Sequence, residues 1–355
     1  MRQQLAVDVH THYFWVFSEE AREFRQKVGL GTIDGMRDSA GNVIGNAGGV
    51  PIVVYRDSID IERQVETNRA AEITRRLLSV PMLIGLFSGG RQPAALPLAR
   101  TFNDNLASVV HRYPEQLEGL GSVCAVDREH LPEARRCMRE LGFKGLLIDT
   151  SWHGEFPDGE SAYPFWGWAE ENAVPVFLHP PALPIGHEKM DRYKLEEAVG
   201  RPFDTTMCVA RLIFSGTLDR FPGLRLVVAH MGGGMACVIG RLEMGRRLGY
   251  EGMPQNAIPK CRMNPSDYLR RNFWVDTMGF SAGYLQDAIT LFGVDRVMLG
   301  TDYGPVPISP REHVEIVESL NLGEENEAKI LWKNADQRYR LGLGSGIAAA
   351  PNQQR

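Results

Sequence analysis

The sequence predicts a single (β/α)8 barrel of the TIM type, on three observations. Short apolar runs alternate eight times with helical stretches along the chain. The first run turns through HTHYF, without the glycine-rich phosphate turn that the competing doubly wound sheet normally carries there. A length of 355 residues suits one large barrel or two smaller domains.

The runs are 5–12 (LAVDVHTH), 74–81 (TRRLLSVP), 118–125 (EGLGSVCA), 144–149 (KGLLID), 174–180 (VPVFLHP), 225–231 (RLVVAHM), 272–277 (NFWVDT) and 296–302 (RVMLGTD). Runs this short and this rich in β-branched residues read as strands buried on both faces of a parallel sheet. Between them, 127–143 reads as a helix capped by Asp127, with Leu131, Ala134, Met138 and Leu141 on one face and Gly142 at its end. The stretch 203–221 repeats the design from Asp204, with Met207, Ala210, Phe214 and Leu218 expected to face inward. Ser281 to Gly293 is a third such helix. Long connections at about 18–57, 181–203 and 243–267 are expected to be lids or walls of the barrel mouth, the alternative being surface decoration. The barrel is expected over 1–343, and 344–355 (GSGIAAAPNQQR) reads as a disordered tail.

Composition excludes several functions. A net charge of −5 gives no basic footprint for nucleic acid or an anionic membrane, and no apolar stretch reaches the length of a membrane span. The start, MRQQLAVDVHTHYF, lacks the apolar core of a signal peptide. Five cysteines without a Cys-x-x-Cys pair argue for a reducing compartment, so a cytoplasmic protein is expected.

The chemistry sits at the ends of the runs. His10 and His12 lie two apart on one strand, so both side chains point to the same side. A lone pair of this kind can equally be a buried, hydrogen-bonded pair. Here His179, His230 and Asp302 also stand where an apolar run stops, the position barrel enzymes use for catalysis. Imidazoles with one carboxylate suit Zn²⁺, and Mn²⁺, Fe²⁺ or Co²⁺ fit the same donors. The expected site is one divalent metal on His10, His12, His179 and Asp302, with metal-bound water and His230 as acid/base; all four histidines as ligands is the alternative. Phe14 and Trp15 after the first run, Trp152 after the fourth and Tyr303 after Asp302 would suit a flat, conjugated acid, although each could instead pack its loop. His111, His130, His187 and His313 read as surface residues.

These residues resemble the amidohydrolase superfamily, in particular the branch typified by α-amino-β-carboxymuconate-ε-semialdehyde decarboxylase (amidohydrolase-related family 2). The likeness runs through VDVHTH, FNDNLASVVHRYPEQLEGLGSV, VPVFLHP, ARLIFSGTLDRFPGLRLVVAHMGGG and VMLGTDYG. It implies metal binding by His10, His12, His179 and Asp302, an acid/base His230, and an arginine at Arg241 that grips a substrate carboxylate, often across a subunit interface; in a hydrolytic alternative, Asp302 or His230 would shuttle protons. Arg56 is a second candidate arginine. The resemblance therefore implies a homodimer or higher homo-oligomer acting on a small carboxylic acid. The expected reaction is non-oxidative decarboxylation of an aromatic or muconate-like acid. The alternatives are hydrolysis of a C–C, C–N or lactone bond, hydration, or a non-catalytic protein that kept its metal. Two-metal members carry a lysine or acid at the end of the fourth strand; here Lys144 starts that strand and Asp149 lies near its end, which favours one metal. The branch commonly has Asp-Tyr-Pro after the eighth strand, where this chain has Asp302, Tyr303, Gly304 and Pro305.

Overall fold

The computed structural model describes residues 5–27, 37–47, 50–88, 92–190, 192–306 and 308–344. The expected tail, apart from Gly344, and part of the first long connection lie outside them. Eight parallel strands run in the order β1 (Val7–His12), β4 (Arg75–Ser79), β5 (Leu117–Ser122), β6 (Gly145–Asp149), β7 (Pro175–His179), β8 (Arg225–Val228), β9 (Phe273–Asp276) and β10 (Val297–Met298). Each falls within or beside one of the eight apolar runs. The ring closes where Val9 N donates to Leu299 O at 2.9 Å, Asp302 N to His10 O at 2.7 Å and His12 N to Tyr303 O at 3.0 Å. The fold is a (β/α)8 barrel.

Two apolar layers hold it. Val9, Leu77, Leu120, Leu147, Phe177, Val227 and Met298 fill the barrel interior, closed at the bottom by Ala335 and Tyr339. A larger layer joins the outward faces of the strands to the helices, for example Leu78, Leu146, Leu178 and Val228 against Leu106, Cys137, Trp166 and Leu212. Burying a side chain of this size contributes about 1.5–3 kcal/mol.

The helices follow the expected pattern with one correction. Leu131–Arg139 is helical behind a turn capped by Asp127, and Gly142 beyond it has φ +71°. Ser281 caps Ala282–Phe292 by accepting from Tyr284 N at 3.3 Å. The helix expected from Asp204 instead starts at Arg201, with Pro202 in its first turn. Its buried face is Asp204, Thr205, Cys208, Val209, Leu212 and Ile213, while Met207 is exposed. Of the expected inward residues Leu218 is buried, in the short helix that follows, whereas the face packed on the barrel is the one that carries Cys208, Val209 and Leu212. His130 and His313 are likewise buried, not on the surface, because each lies on the barrel-facing side of its helix or turn.

The first long connection contributes an antiparallel hairpin, β2 (Val43–Ala47) with β3 (Val50–Val54). Among the described residues no helix is long and apolar enough to cross a membrane.

Candidate active site

β1 carries the first two site residues, and it does so by breaking its own alternation. Val7 pairs with Arg75 and Asp8 with Arg76, but Thr11 pairs with Leu78 and His12 with Ser79, so one extra residue is inserted between Asp8 and Thr11. Strict period two would send His10 and His12 to one face and Val7 and Val9 to the other. The bulge lets Val7 and Val9 fill the interior below while His10 and His12 point inward above them.

At the mouth, one donor atom from each of His10, His12, His179 and Asp302 lies within 4.8 Å of the others, and all four residues are buried. The outer ring nitrogens are already committed. His10 Nδ1 donates to Asp276 Oδ2 at 2.5 Å, and His179 Nδ1 donates to Pro180 O at 2.8 Å. Ser79 Oγ spends its proton on Thr11 O, so it accepts from His12 Nδ1 at 2.9 Å. In the neutral rings these bonds fix the tautomer and turn each Nε2 lone pair inward. His10 Nε2 and His12 Nε2 then face one another at 3.0 Å, with Asp302 Oδ1 2.9 Å from His12 Nε2 and 3.5 Å from His10 Nε2. A cation held between them would relieve this crowding of lone pairs and carboxylate.

The protonation equilibria agree. Burial, reinforced by neighbouring imidazoles, pushes His179 well below its usual range, and burial brings His12 down to about 4, so both stay neutral as ligands require. Burial alone would raise Asp302, but His10 and the bonds from His12 and His230 hold its carboxyl well below the usual carboxylate range. His10 is the one ring pushed up: burial opposes its charge, and the Asp302 and Asp276 carboxylates outweigh burial. Positive charge is favoured at this point of the cluster. A divalent metal fits the residues present, and three nitrogens with one oxygen match the donor set of a four-coordinate or more open centre.

His230 stands beside this cluster in a strained turn. His230, Met231, Gly232 and Gly233 all have positive φ, at 58°, 53°, 82° and 65°. The non-glycine pair costs on the order of 1–2 kcal/mol per residue, held in place by Met231 N donating to Asp276 Oδ1 at 3.0 Å and Gly234 N to Thr206 Oγ1 at 2.6 Å. A Cβ on Gly233 would sit 2.5 Å from Pro202 O. The turn aims His230 Nε2 at Asp302 Oδ2, 3.4 Å away, and leaves Nδ1 buried without a protein partner.

Asp276 is the residue that sequence reasoning missed. It touches both halves of the site, fixing His10 through Oδ2 and the His230 turn through Oδ1. Its signal was present, since it stands next to last in NFWVDT, where that apolar run stops, much as Asp302 closes RVMLGTD.

The expected substrate contacts divide. Phe14 stacks parallel to His12 with centroids 6.1 Å apart and so borders the cluster, while Trp152 is buried in the connection after β6, beside Asp149. Trp15 packs on Phe24, at 5.3 Å. Tyr303 is engaged elsewhere: its hydroxyl donates to Asp57 at 2.7 Å and Arg76 covers its ring, because the chain after Asp302 passes outside β1. Arg56 is exposed and paired with Asp60 at 3.1 Å, outside the cluster. Arg241 is exposed on the helix Met235–Arg247, with no hydrogen bond or ion pair recorded for it among the described residues.

The amidohydrolase family profile matches residues 7–341. The chain belongs to the amidohydrolase family. The amidohydrolase is 32% identical over 272 residues to 2-amino-3-carboxymuconate-6-semialdehyde decarboxylase of Dictyostelium discoideum, covering 76% of this chain and 73% of that one. It is 30% identical over 263 residues to γ-resorcylate decarboxylase of Rhodococcus jostii, covering 70% of this chain and 78% of the other. Among solved structures, 5-carboxyvanillate decarboxylase of Novosphingobium aromaticivorans, with bound manganese, superposes with a TM-score of 0.78 at 22% identity, over 96% of this chain and 98% of that one. That last likeness bears on the fold.

Proposed function

We propose that this amidohydrolase is a metal-dependent, non-oxidative decarboxylase of an aromatic or muconate-like carboxylic acid. The observation that carries the reading is the convergence of three inward Nε2 lone pairs and the Asp302 carboxylate beside a separately held His230. The two relatives above that share about 30% identity are both named as decarboxylases of unsaturated or aromatic acids.

His10, His12, His179 and Asp302 would hold one divalent ion; Zn²⁺ and Mn²⁺ both suit the donors. The bound ion supplies a Lewis acid that draws in the anionic substrate and stabilises charge developing beside the scissile bond. The protein's own residues do the rest. Phe14 and Trp152 flank the flat ring. His230 Nε2 delivers a proton to the ring carbon as the bond to CO2 breaks, and Asp302 Oδ2 orients that imidazole. The electron pair of the C–C bond ends in the new C–H bond, so the balance needs no oxidant.

Arg241 serves a second copy of the chain. It stands on an exposed face with Met244, Leu248 and Tyr250, and this apolar, cationic face suits a homodimer interface. The five cysteines are unpaired, four of them buried, in keeping with a cytoplasmic protein.

The test is mass-resolved product analysis of the Zn²⁺- or Mn²⁺-loaded protein with hydroxybenzoic, aminobenzoic and muconic-type acids. A product lighter by CO2 is expected. A product that gains water and keeps its carboxylate overturns the reading in favour of hydrolysis or hydration.

A further inference from the structure

Asp149 takes no part in the chemistry above, yet it stands at the barrel mouth. It ends β6, and its Cα pairs with that of His179 in β7. Two residues earlier, Leu147 pairs with Phe177, and both fill the barrel interior. Neighbours in a parallel register face the same way, so Asp149 points inward beside His179. In the strand order β6 and β10 are four places apart in a ring of eight, so Asp149 lies across the mouth from Asp302. It is not among the four clustered donors.

Its surroundings are unusual for a carboxylate. Oδ1 accepts from Met82 N at 3.1 Å, and among the described residues no cation pairs with it. Burial, with Asp204 nearby, pushes its carboxyl up to about 7. A cavity of about 10 Å³ adjoins it, walled also by Cys124, Trp152 and Glu155. That volume admits roughly one water-sized group. Trp152 brings an indole Nε1 that is buried without a protein partner. The space is too small for a methoxy or carboxyl group, and the Asp149 carboxyl borders it.

We infer that Asp149 and Trp152 form a specificity subsite that receives a single hydroxyl or amino substituent of the substrate, held by hydrogen bonding to the Asp149 carboxyl. A hydroxyl or an amino group donates to the Asp149 carboxyl, with the Trp152 ring as the wall beside it. The shared requirement is one small donor at a fixed position on the ring. This inference rests on the reading of the mouth as the pocket for a ring-bearing acid, and it adds which substituent that pocket selects.

Binding tests it independently of turnover. The metal-loaded protein is titrated calorimetrically with benzoic acid and its monohydroxy and monoamino isomers, for the wild type, Asp149→Asn and Asp149→Leu. One positional isomer is expected to bind the wild type about tenfold or more tighter than benzoic acid. Asp149→Leu erases that preference and Asp149→Asn, which keeps an acceptor, retains part of it, with metal content unchanged in both. A wild type blind to the substituent overturns the inference, as does the same preference in Asp149→Leu or loss of metal from Asp149→Asn. Isomer-selective binding without CO2 release would leave the subsite standing while the decarboxylase reading fails.

Discussion

Asp276 accepts the Nδ1 proton of His10 at 2.5 Å, and with its other oxygen it holds the backbone of Met231, the residue after His230. One carboxylate thereby sets both a proposed ligand and the strained turn carrying the proposed acid/base. Asp276→Asn exchanges a charged acceptor for a neutral one at both contacts. Metal affinity, measured by competition with a chromophoric chelator, is expected to fall about 10–100-fold. Unchanged affinity would show that His10 is oriented without it.

His230 makes no use of its Nδ1 and lies at the edge of the cluster. His230→Asn should therefore keep its metal and its fold while turnover drops about 10²–10⁴-fold, the usual weight of a positioned acid/base. Elemental analysis beside single-turnover kinetics separates the two effects. A variant that loses metal in proportion to activity would move His230 into the ligand set.

The facing Nε2 atoms of His10 and His12, 3.0 Å apart, make the metal-free protein pay an electrostatic penalty. Removing the ion by chelation should lower the melting temperature, and stoichiometric Zn²⁺ or Mn²⁺ should restore it, with the gain growing as free metal exceeds the dissociation constant. His179→Ala should lose the metal-dependent shift and turnover together. A melting curve indifferent to chelation in the wild type argues against a resident ion.

Much of this was legible in the chain. Eight apolar runs marked the strands, and three of their ends marked His10 with His12, His179 and Asp302, because a polar residue closing a buried run has to face either solvent or a site. Asp276 carried the same mark and was passed over. What could not be read depends on rotation about an element's axis. The bulge in β1 is invisible to a pattern that assumes period two, and the exposure of Met207 and the burial of His130 and His313 follow from how each helix or turn is rotated against the barrel. Tyr303 shows a third limit: a residue next to a ligand in sequence can leave the site within one turn, here to bond Asp57.

Arg241 offers a test of assembly. If it serves the neighbouring site, Arg241→Ala and His230→Asn should each be nearly inactive alone, and mixing them after reversible dissociation should recover about a quarter of wild-type activity through one restored site in each mixed dimer. Ultracentrifugation of the wild type should give a dimer. A monomer, or no recovery on mixing, places Arg241 outside catalysis.

Asp149 gives a prediction in stability alone. Its carboxyl is raised by burial from an ordinary 3.8 to about 7. A raised carboxyl favours the folded state most at low pH, where folded and unfolded chains are both protonated there. As pH climbs from about 4 towards 7 the unfolded chain ionises first, so this favourable contribution is lost and stays lost above 7. Asp149→Asn removes that slope. Relative to the wild type, the chelated variant should gain stability between pH 5 and pH 8 by on the order of 1–3 kcal/mol, at about 1.4 kcal/mol per pKa unit. Denaturant unfolding of both proteins at the two pH values measures it, and the titrating histidines cancel because both proteins share them. Parallel curves would mean that Asp149 is already ionised in the fold, reached by water or a cation, and its place in the pocket would then be that of an anion.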